Sequence, residues 1–165
     1  MSLRVLGAAD ATAYQSLRLA GLQECPSAFA SSHAEEAPLP LETVAGRLTA
    51  SGSGAVWGGF VGSRLVGVVG VQREHFAKLA HKAHVWGMYV KPGARRQGIG
   101  RLLLGQALDY ARRELGVHQV NLGVNAGNEA ALRLYEALGF RPFGLERGFM
   151  MLEGVAQDEV HLVCE

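Results

Sequence analysis

The stretch Arg95-Arg96-Gln97-Gly98-Ile99-Gly100-Arg101 constrains the fold more than any other part of the chain, because of what flanks it. Upstream, Val85-Trp86-Gly87-Met88-Tyr89-Val90 reads as extended chain and is broken by Lys91-Pro92-Gly93. Downstream, Ile99, Leu102, Leu103, Ala107, Tyr110, Ala111 and Leu115 recur at helical spacing. A strand that feeds a short basic, glycine-bearing turn and then becomes a helix is a geometry for holding phosphate. The first-turn N–H groups of that helix have no partner within it, and the helix dipole favours an anion there. Gly98 and Gly100 let a bulky anion approach the backbone, and Arg95, Arg96 and Arg101 surround it with positive charge.

Two common phosphate loops are excluded by the residues themselves. A dinucleotide fingerprint needs G-x-G-x-x-G, and the third glycine position is Leu103. A triphosphate loop needs Gly-Lys-Ser or Gly-Lys-Thr, and neither occurs in the chain. What remains is R-x-x-G-x-G, from Arg95 to Gly100. Further on, Val120, Leu122 and Val124 alternate with Gln119, Asn121 and Gly123 as in a half-buried strand. Asn125-Ala126-Gly127-Asn128 then turns the chain, with Asn128 placed to cap a helix and Glu129 in its first turn. Ala131, Leu134, Tyr135 and Leu138 share one face of that helix, and Gly139 is placed to end it. Together, R-x-x-G-x-G and the later run Asn128-x-x-Ala131-x-x-Leu134-Tyr135-x-x-x-Gly139-Phe140 resemble the two signatures of the GNAT superfamily of N-acetyltransferases, over about Val85 to Arg141.

Patterning over the rest of the chain gives the order β, α, α, β, β, β, α, β, α, β, β. Leu3 to Leu6 reads as a first strand, and Asp10 as the cap of a helix to about Leu22 with Tyr14, Leu17 and Gly21 on one face. A second helix carries Leu41, Val44, Ala45 and Leu48. Gly62-Ser63 signals a hairpin between apolar runs at 55–61 and 65–72, and residues 73–83 read as polar loop. After Gly139 the spacing predicts a turn near Arg147-Gly148 and a last strand from Asp158 to Cys164. The resemblance implies an α+β fold with a mixed, mostly antiparallel sheet of about six to seven strands flanked by about four helices. It also implies that the sheet splays between the strands at 84–90 and 119–124.

Composition narrows the classes. At 165 residues the chain is expected to form a single domain, 1–165, with a real core. A formal charge of +1 argues against a general polyanion binder, and three clustered arginines make a focus rather than a nucleic-acid-binding face. Cys25 and Cys164 form no C-x-x-C pair, which fits a reducing compartment. No apolar run approaches the roughly 20 residues that span a bilayer, and the N-terminus lacks the apolar core of a signal peptide. The expectation is a cytoplasmic protein without a membrane partner. His75, His81 and His84 lack the spacing of a zinc site and are interleaved with Lys78 and Lys82, so no metal is expected.

The chemistry follows from the resemblance. It implies acetyl-CoA as co-substrate, held at its pyrophosphate by backbone N–H groups from Arg96 through Gln97, Gly98, Ile99 and Gly100 to Arg101, with Arg95, Arg96 and Arg101 as auxiliary charges. Backbone groups of Met88, Tyr89 and Val90 would pair with the pantetheine arm, one N–H near Met88 polarising the thioester carbonyl. The side chains at those positions read as ordinary strand. Asn128 reads both as helix cap and as cofactor ligand. By spacing Tyr135 is a core residue; by the resemblance it is the acid that meets the departing thiolate. An amine must lose a proton before it attacks, and Glu74, His75 and His84 stand in or beside the relevant strand. By strand parity His84 shares a face with Trp86 and Met88. Many family members use ordered water instead of a single base. The acceptor is a primary amine on a small molecule, amino acid or peptide N-terminus, and its cleft is expected among residues 25–36, 74–84 and 145–158. Glu35, Glu36, Glu146 and Glu153 are placed to attract a cation, while Trp57 and Trp86 read as core. The resemblance also implies a homodimer. A non-catalytic acyl-CoA-binding module and a transferase for a longer acyl-CoA are the alternatives.

Overall fold

The apolar runs on either side of Gly62-Ser63 pair as a hairpin, β2 (Gly54–Val61) and β3 (Arg64–Arg73), as the dipeptide predicts. In the computed structural model, which describes residues 1–49 and 51–165, that hairpin is the middle of one wing of a seven-stranded sheet. β1 (Ser2–Val5) lies outside β2, and β4 (Lys82–Val90) inside β3. The other wing is β5 (Gln119–Asn125), β7 (Val155–Cys164) and β6 (Arg141–Leu152), giving the spatial order β1-β2-β3-β4-β5-β7-β6. Every neighbouring pair is antiparallel except β4 and β5. Five helices flank the sheet: α1 (Ala11–Glu24), a single turn α2 (His33–Glu36), α3 (Leu41–Leu48), α4 (Ile99–Arg113) and α5 (Glu129–Ala137).

Each face of the sheet has its own core. Leu103, Leu104, Ala107 and Leu108 of α4 pack on Val69, Val71, Val85 and Val120, joined by Tyr135 of α5. On the opposite face Tyr14, Leu17 and Leu22 of α1 and Val44 and Leu48 of α3 pack on Val56, Phe60, Val68 and Tyr89. The apolar stripes therefore lie where the helical spacing puts them, with two corrections. Leu102 and Leu41 are 45% and 47% exposed, because the buried stripes of their helices are centred one or more positions further along.

Two other expectations are overturned by particular contacts. Asp10 does not cap α1. Its carboxylate is taken by Arg4, at 2.7 and 2.8 Å, and by the Gly7 N–H at 2.9 Å, which ties β1 to the start of α1 instead. Arg147-Gly148 is not the terminal turn but a bulge within β6, where the Gly148 N–H donates to Asp158 at 2.9 Å. The turn is Glu153-Gly154, both left-handed (φ 49° and 78°), the conformation that matches the twist of a tight hairpin.

The parting of β4 and β5 positions the site. Only three pairs join them, Lys82–Gln119, Ala83–Val120 and His84–Asn121, and beyond His84 the strands diverge. In the diverging part β4 carries a bulge, with Gly87 and Met88 together opposing Val69. Gly87 has φ of 61°, a conformation costly for any residue with a Cβ, so the glycine is what permits the bulge. The extra residue shifts the alternation. Trp86 packs with the α1–α3 core, whereas Met88 and Val90 pack with the α4–α5 core. The shared face expected for His84, Trp86 and Met88 is thereby corrected. A Cβ at Gly87 would meet only Arg18, at an uncrowded 3.5 Å, so Gly87→Ala tests the backbone alone. It is expected to cost about 1–2 kcal/mol, read as a lower urea midpoint at unchanged slope.

Candidate active site

Between the diverging strands is a cavity of about 140 Å³. Its walls are residues 85–88 of β4, residues 122–125 of β5, and Asn128, Ala131, Leu134 and Tyr135 at the start and inner face of α5. Asn128 caps α5 as expected, its Oδ1 accepting from the Ala131 N–H at 3.2 Å, and the same residue lines the cavity. Tyr135 is 8% exposed, edge-on to Phe140, and its hydroxyl reaches only the Met88 sulfur, at 3.8 Å. Burial pushes its pKa up to about 12, so the phenol stays protonated and its hydrogen faces a soft, weak acceptor. A sulfur atom already marks where this donor points.

The basic turn opens toward the same place. Arg96 (φ 61°) and Gly98 (φ 79°) are both left-handed, and the first helical bond runs from the Leu102 N–H to the Gly98 carbonyl at 3.0 Å. The N–H groups from Gln97 to Arg101 have no acceptor among the described residues, as an anion site at a helix start requires. A Cβ at Gly100 would stand 3.3 Å from Met88 and 3.4 Å from Leu134. The first turn of α4 thus abuts both walls of the cavity. An elongated ligand with phosphates on residues 97–101 would lead along the free edge of β4, past Val90, Tyr89 and Met88, to Tyr135.

The three arginines do not act alike. Arg96 and Arg101 are exposed at the turn, as is Gln97. Arg95 is committed to the protein: its Nε donates to the Val90 carbonyl at 2.8 Å and its Nη2 to Glu24 at 2.6 Å. The Tyr89 hydroxyl donates to the same Glu24 oxygen at 2.8 Å. The Arg95 hydrogen bond holds the Glu24 carboxyl below its ordinary pKa, and burial together with Glu24 holds Tyr89 up at about 12. The expectation of three charges around an anion becomes two, plus a strut from α1 to the end of β4.

Of the base candidates, His84 and Glu74 are brought together, Nδ1 to Oε1 at 3.1 Å, and His75 stacks on Phe76 at the surface. His84 opens on a separate cleft with Trp86, Gln72, Arg18, Glu36 and Arg47, across β4 from Met88. The acids expected to attract a cation are mostly engaged. Glu35 closes a capping box with Ser32, Glu146 meets His161 at 2.9 Å, and Glu153 sits in the terminal turn. Glu36 is buried beneath Arg18 (2.9 Å), Arg47 (3.3 Å) and the Ser31 hydroxyl (2.6 Å). Burial alone would raise its pKa, but those hydrogen bonds and charges outweigh it and bring it down to about 2.

Sequence patterning missed two features. Arg18 shares the buried face of α1, where an arginine among apolar residues signals a buried partner. Glu159 of β7 turns its carboxylate over Gly123 of β5, and the signal was Gly123 itself, a residue without a side chain where the alternation calls for one.

A sheet splayed beside a crossover helix, with an anion turn at the helix start and a buried donor in the gap, defines a protein class built to lay an elongated anionic ligand between two strands. Residues 21–140 match the model of the Acetyltransferase (GNAT) family, and the chain belongs to that family. It is 39% identical over 94 residues to the N-alpha-acetyltransferase RimI of Mycobacterium tuberculosis, covering 56% of each chain. It is 38% identical over 68 residues to the [Ribosomal protein bS18]-alanine N-acetyltransferase of Escherichia coli, covering 41% of this chain and 45% of that one. The chain thus spans about half the length of the curated relatives it matches. Among solved structures, yncA, a putative acetyltransferase from Salmonella typhimurium with its cofactor acetyl-CoA, superposes with a TM-score of 0.88 at 20% identity, covering 100% of this chain and 93% of that one.

Glu36 supplies a stability test. Its pKa is depressed on folding, so its contribution is complete above about 4.3, the unfolded value, and is lost as pH falls toward 2. Glu36→Gln is expected to cost about 3–5 kcal/mol at pH 7, since it leaves Arg18 buried without its counter-charge. The deficit should shrink in denaturant titrations carried from pH 7 to pH 3.

Proposed function

We propose that this chain is an acetyl-CoA-dependent N-acetyltransferase that moves an acetyl group to a primary amine by direct attack on the thioester. The observation that carries this reading is the buried, otherwise unpartnered Tyr135 hydroxyl, aimed at a sulfur in a gap that the anion turn also borders. The free N–H groups of residues 97–101, with Arg96 and Arg101, hold the pyrophosphate. The outer edge of β4 from Met88 to Val90, where Arg95 already holds the Val90 carbonyl, takes the pantetheine amides with its remaining groups as a further strand would, and a backbone N–H at the bulge polarises the thioester carbonyl. Asn128 lines the same gap. As the C–S bond lengthens, charge develops on sulfur, and the Tyr135 hydroxyl donates to it. We take residues 1–165 as one catalytic domain.

The acceptor is an amine, and the activities named for the two bacterial relatives favour an α-amine, as on a protein or peptide N-terminus. Thiol release from acetyl-CoA, followed across amines, amino acids, polyamines and peptide N-termini, tests the transfer. Acetyl-CoA at about 100 times its Kd is expected to stabilise the fold by about 2.7 kcal/mol, and no stabilisation at all would remove the cofactor from the proposal. Tyr135→Phe should lower kcat by about 100-fold or more while acetyl-CoA stabilises the variant as it does the parent. A Tyr135→Phe enzyme with full turnover would show that the hydroxyl plays no part.

A further inference from the structure

Glu159 is a carboxylate without a donor. Its side chain is 16% exposed, no N–H or O–H group among the described residues hydrogen-bonds to it, and its nearest cation is His161 Nδ1, at 3.8 Å. Other acids nearby are occupied: Asp158 accepts from the Gly148 N–H at 2.9 Å, and Glu146 holds His161 Nε2 at 2.9 Å. A half-buried carboxylate left without a donor is unfavourable, and such groups gather where chemistry uses them.

Its position is set by Gly123. One carboxylate oxygen of Glu159 fills the space that a Cβ on Gly123 would take, and Gly123 lines the cavity between β4 and β5. On its other side Glu159 lines a chamber of about 30 Å³ with Ala28, Asn125 and Met150. That volume admits a water molecule or an amine nitrogen. The chamber and the cavity share Ala28, Gly123 and Asn125 in their walls, so the two adjoin. Among the residues lining the two, Asp158 and Glu159 are the only carboxylates.

We propose that Glu159 is the general base of the transfer, taking a proton from the acceptor ammonium at the mouth of the cavity, with His161 and Glu146 carrying that proton to solvent. This rests on the acetyltransferase reading above. Of the three protons on the ammonium, one stays on the amide, one ends on the thiol of coenzyme A, and one is released. Glu159 accepts the proton that is released, and the freed nitrogen lone pair forms the C–N bond to the thioester carbonyl carbon. The second leaves nitrogen as the C–S bond breaks and neutralises the thiolate that Tyr135 holds. No electrons are transferred to or from an outside partner.

The surroundings suit the task. Burial raises the Glu159 pKa above the ordinary carboxyl range; His161 opposes that rise and Glu146 adds to it. Asp158 stands beside it on β7, while Asn125 of β5 and residues 27–30 opposite bring no charge. A raised base works above its pKa, so activity falls as pH drops through that value.

The test is the pH profile of kcat/KM for thiol release, with acetyl-CoA and alanine, lysine, spermidine or an alanine-led hexapeptide as acceptors. Glu159→Gln should lose about 100-fold or more at neutral pH and lose the wild-type acidic limb, its rate rising with pH as the amine ionises unaided. Acetyl-CoA should bind it within twofold of the parent. Gly123→Ala keeps the carboxyl but displaces it, and should lower kcat/KM in the same direction; adding it to Glu159→Gln should change nothing further. A Glu159→Gln enzyme with the parental rate, or a slower one with the parental pH profile, overturns the assignment of the base. If the parent enzyme releases no thiol with any acceptor, the transferase reading itself falls, and Glu159 with it.

Discussion

The separation of β4 from β5 after three residue pairs is the constraint on which the rest of the molecule depends. A continuous sheet would bury the N–H and C=O groups of both strands in a ladder, and each group left dry and unpaired costs about 1–3 kcal/mol. The separation is held open from both sides. The first turn of α4 abuts Met88 and Leu134, while β5 keeps its other edge fully paired with β7. The Gly87 bulge then turns Met88 into the gap and leaves Tyr89 against α1. In the proposed function an extended ligand with its own amides would take the place of the missing ladder between β4 and β5.

Charge is arranged around this gap with a clear division. Arg95 and Arg18 are tied into carboxylates and hold α1 and the segment after it against β4. Glu24 and Glu36 are thereby neutralised and lowered, which removes them as attractors for a cation. What stays free is positive at the turn, from Arg96 and Arg101, and negative at Glu159. A polyphosphate and an ammonium are the two charges that such an arrangement would draw, one to the turn and the other to Glu159.

The elements were legible because their periods are unambiguous: alternation at 119–125, three- and four-residue spacing at 99–111 and 131–138, and a dipeptide turn at Gly62-Ser63. Failures came where one residue breaks a period. Gly87 and the segment around Gly148 are bulges, and each moves the following side chains to the opposite face, so parity placed His84 beside Met88 when they lie across the strand. The Asp10 cap failed because Arg4 of β1 takes the same carboxylate. Glu159 was invisible for a different reason. Its role depends on a diagonal contact between β5 and β7, and nothing local to Asp158-Glu159-Val160 announces that Gly123 lies beneath it.

The two ionisable groups at the gap are both raised by burial, and the consequences are opposite. For Glu159 burial raises the value and makes the carboxylate a stronger base than an exposed one, which suits the proton acceptor proposed for it. For Tyr135 it moves the phenol away from neutral pH. At about 12 it is a weaker acid than a thiol, whose ordinary value is about 8.5, by more than three units. Complete transfer of the phenolic proton to sulfur would then run uphill by roughly 5 kcal/mol. In the proposed transfer Tyr135 therefore acts as a fixed hydrogen-bond donor to the charge that grows on sulfur rather than as the final source of its proton. The proton that ends on the thiol comes from the amine, which must lose it for the amide to form. In the proposed transfer acid and base are thus coupled through the substrate, with Glu159 over Gly123 in one wall of the cavity and Tyr135 lining the same cavity from α5.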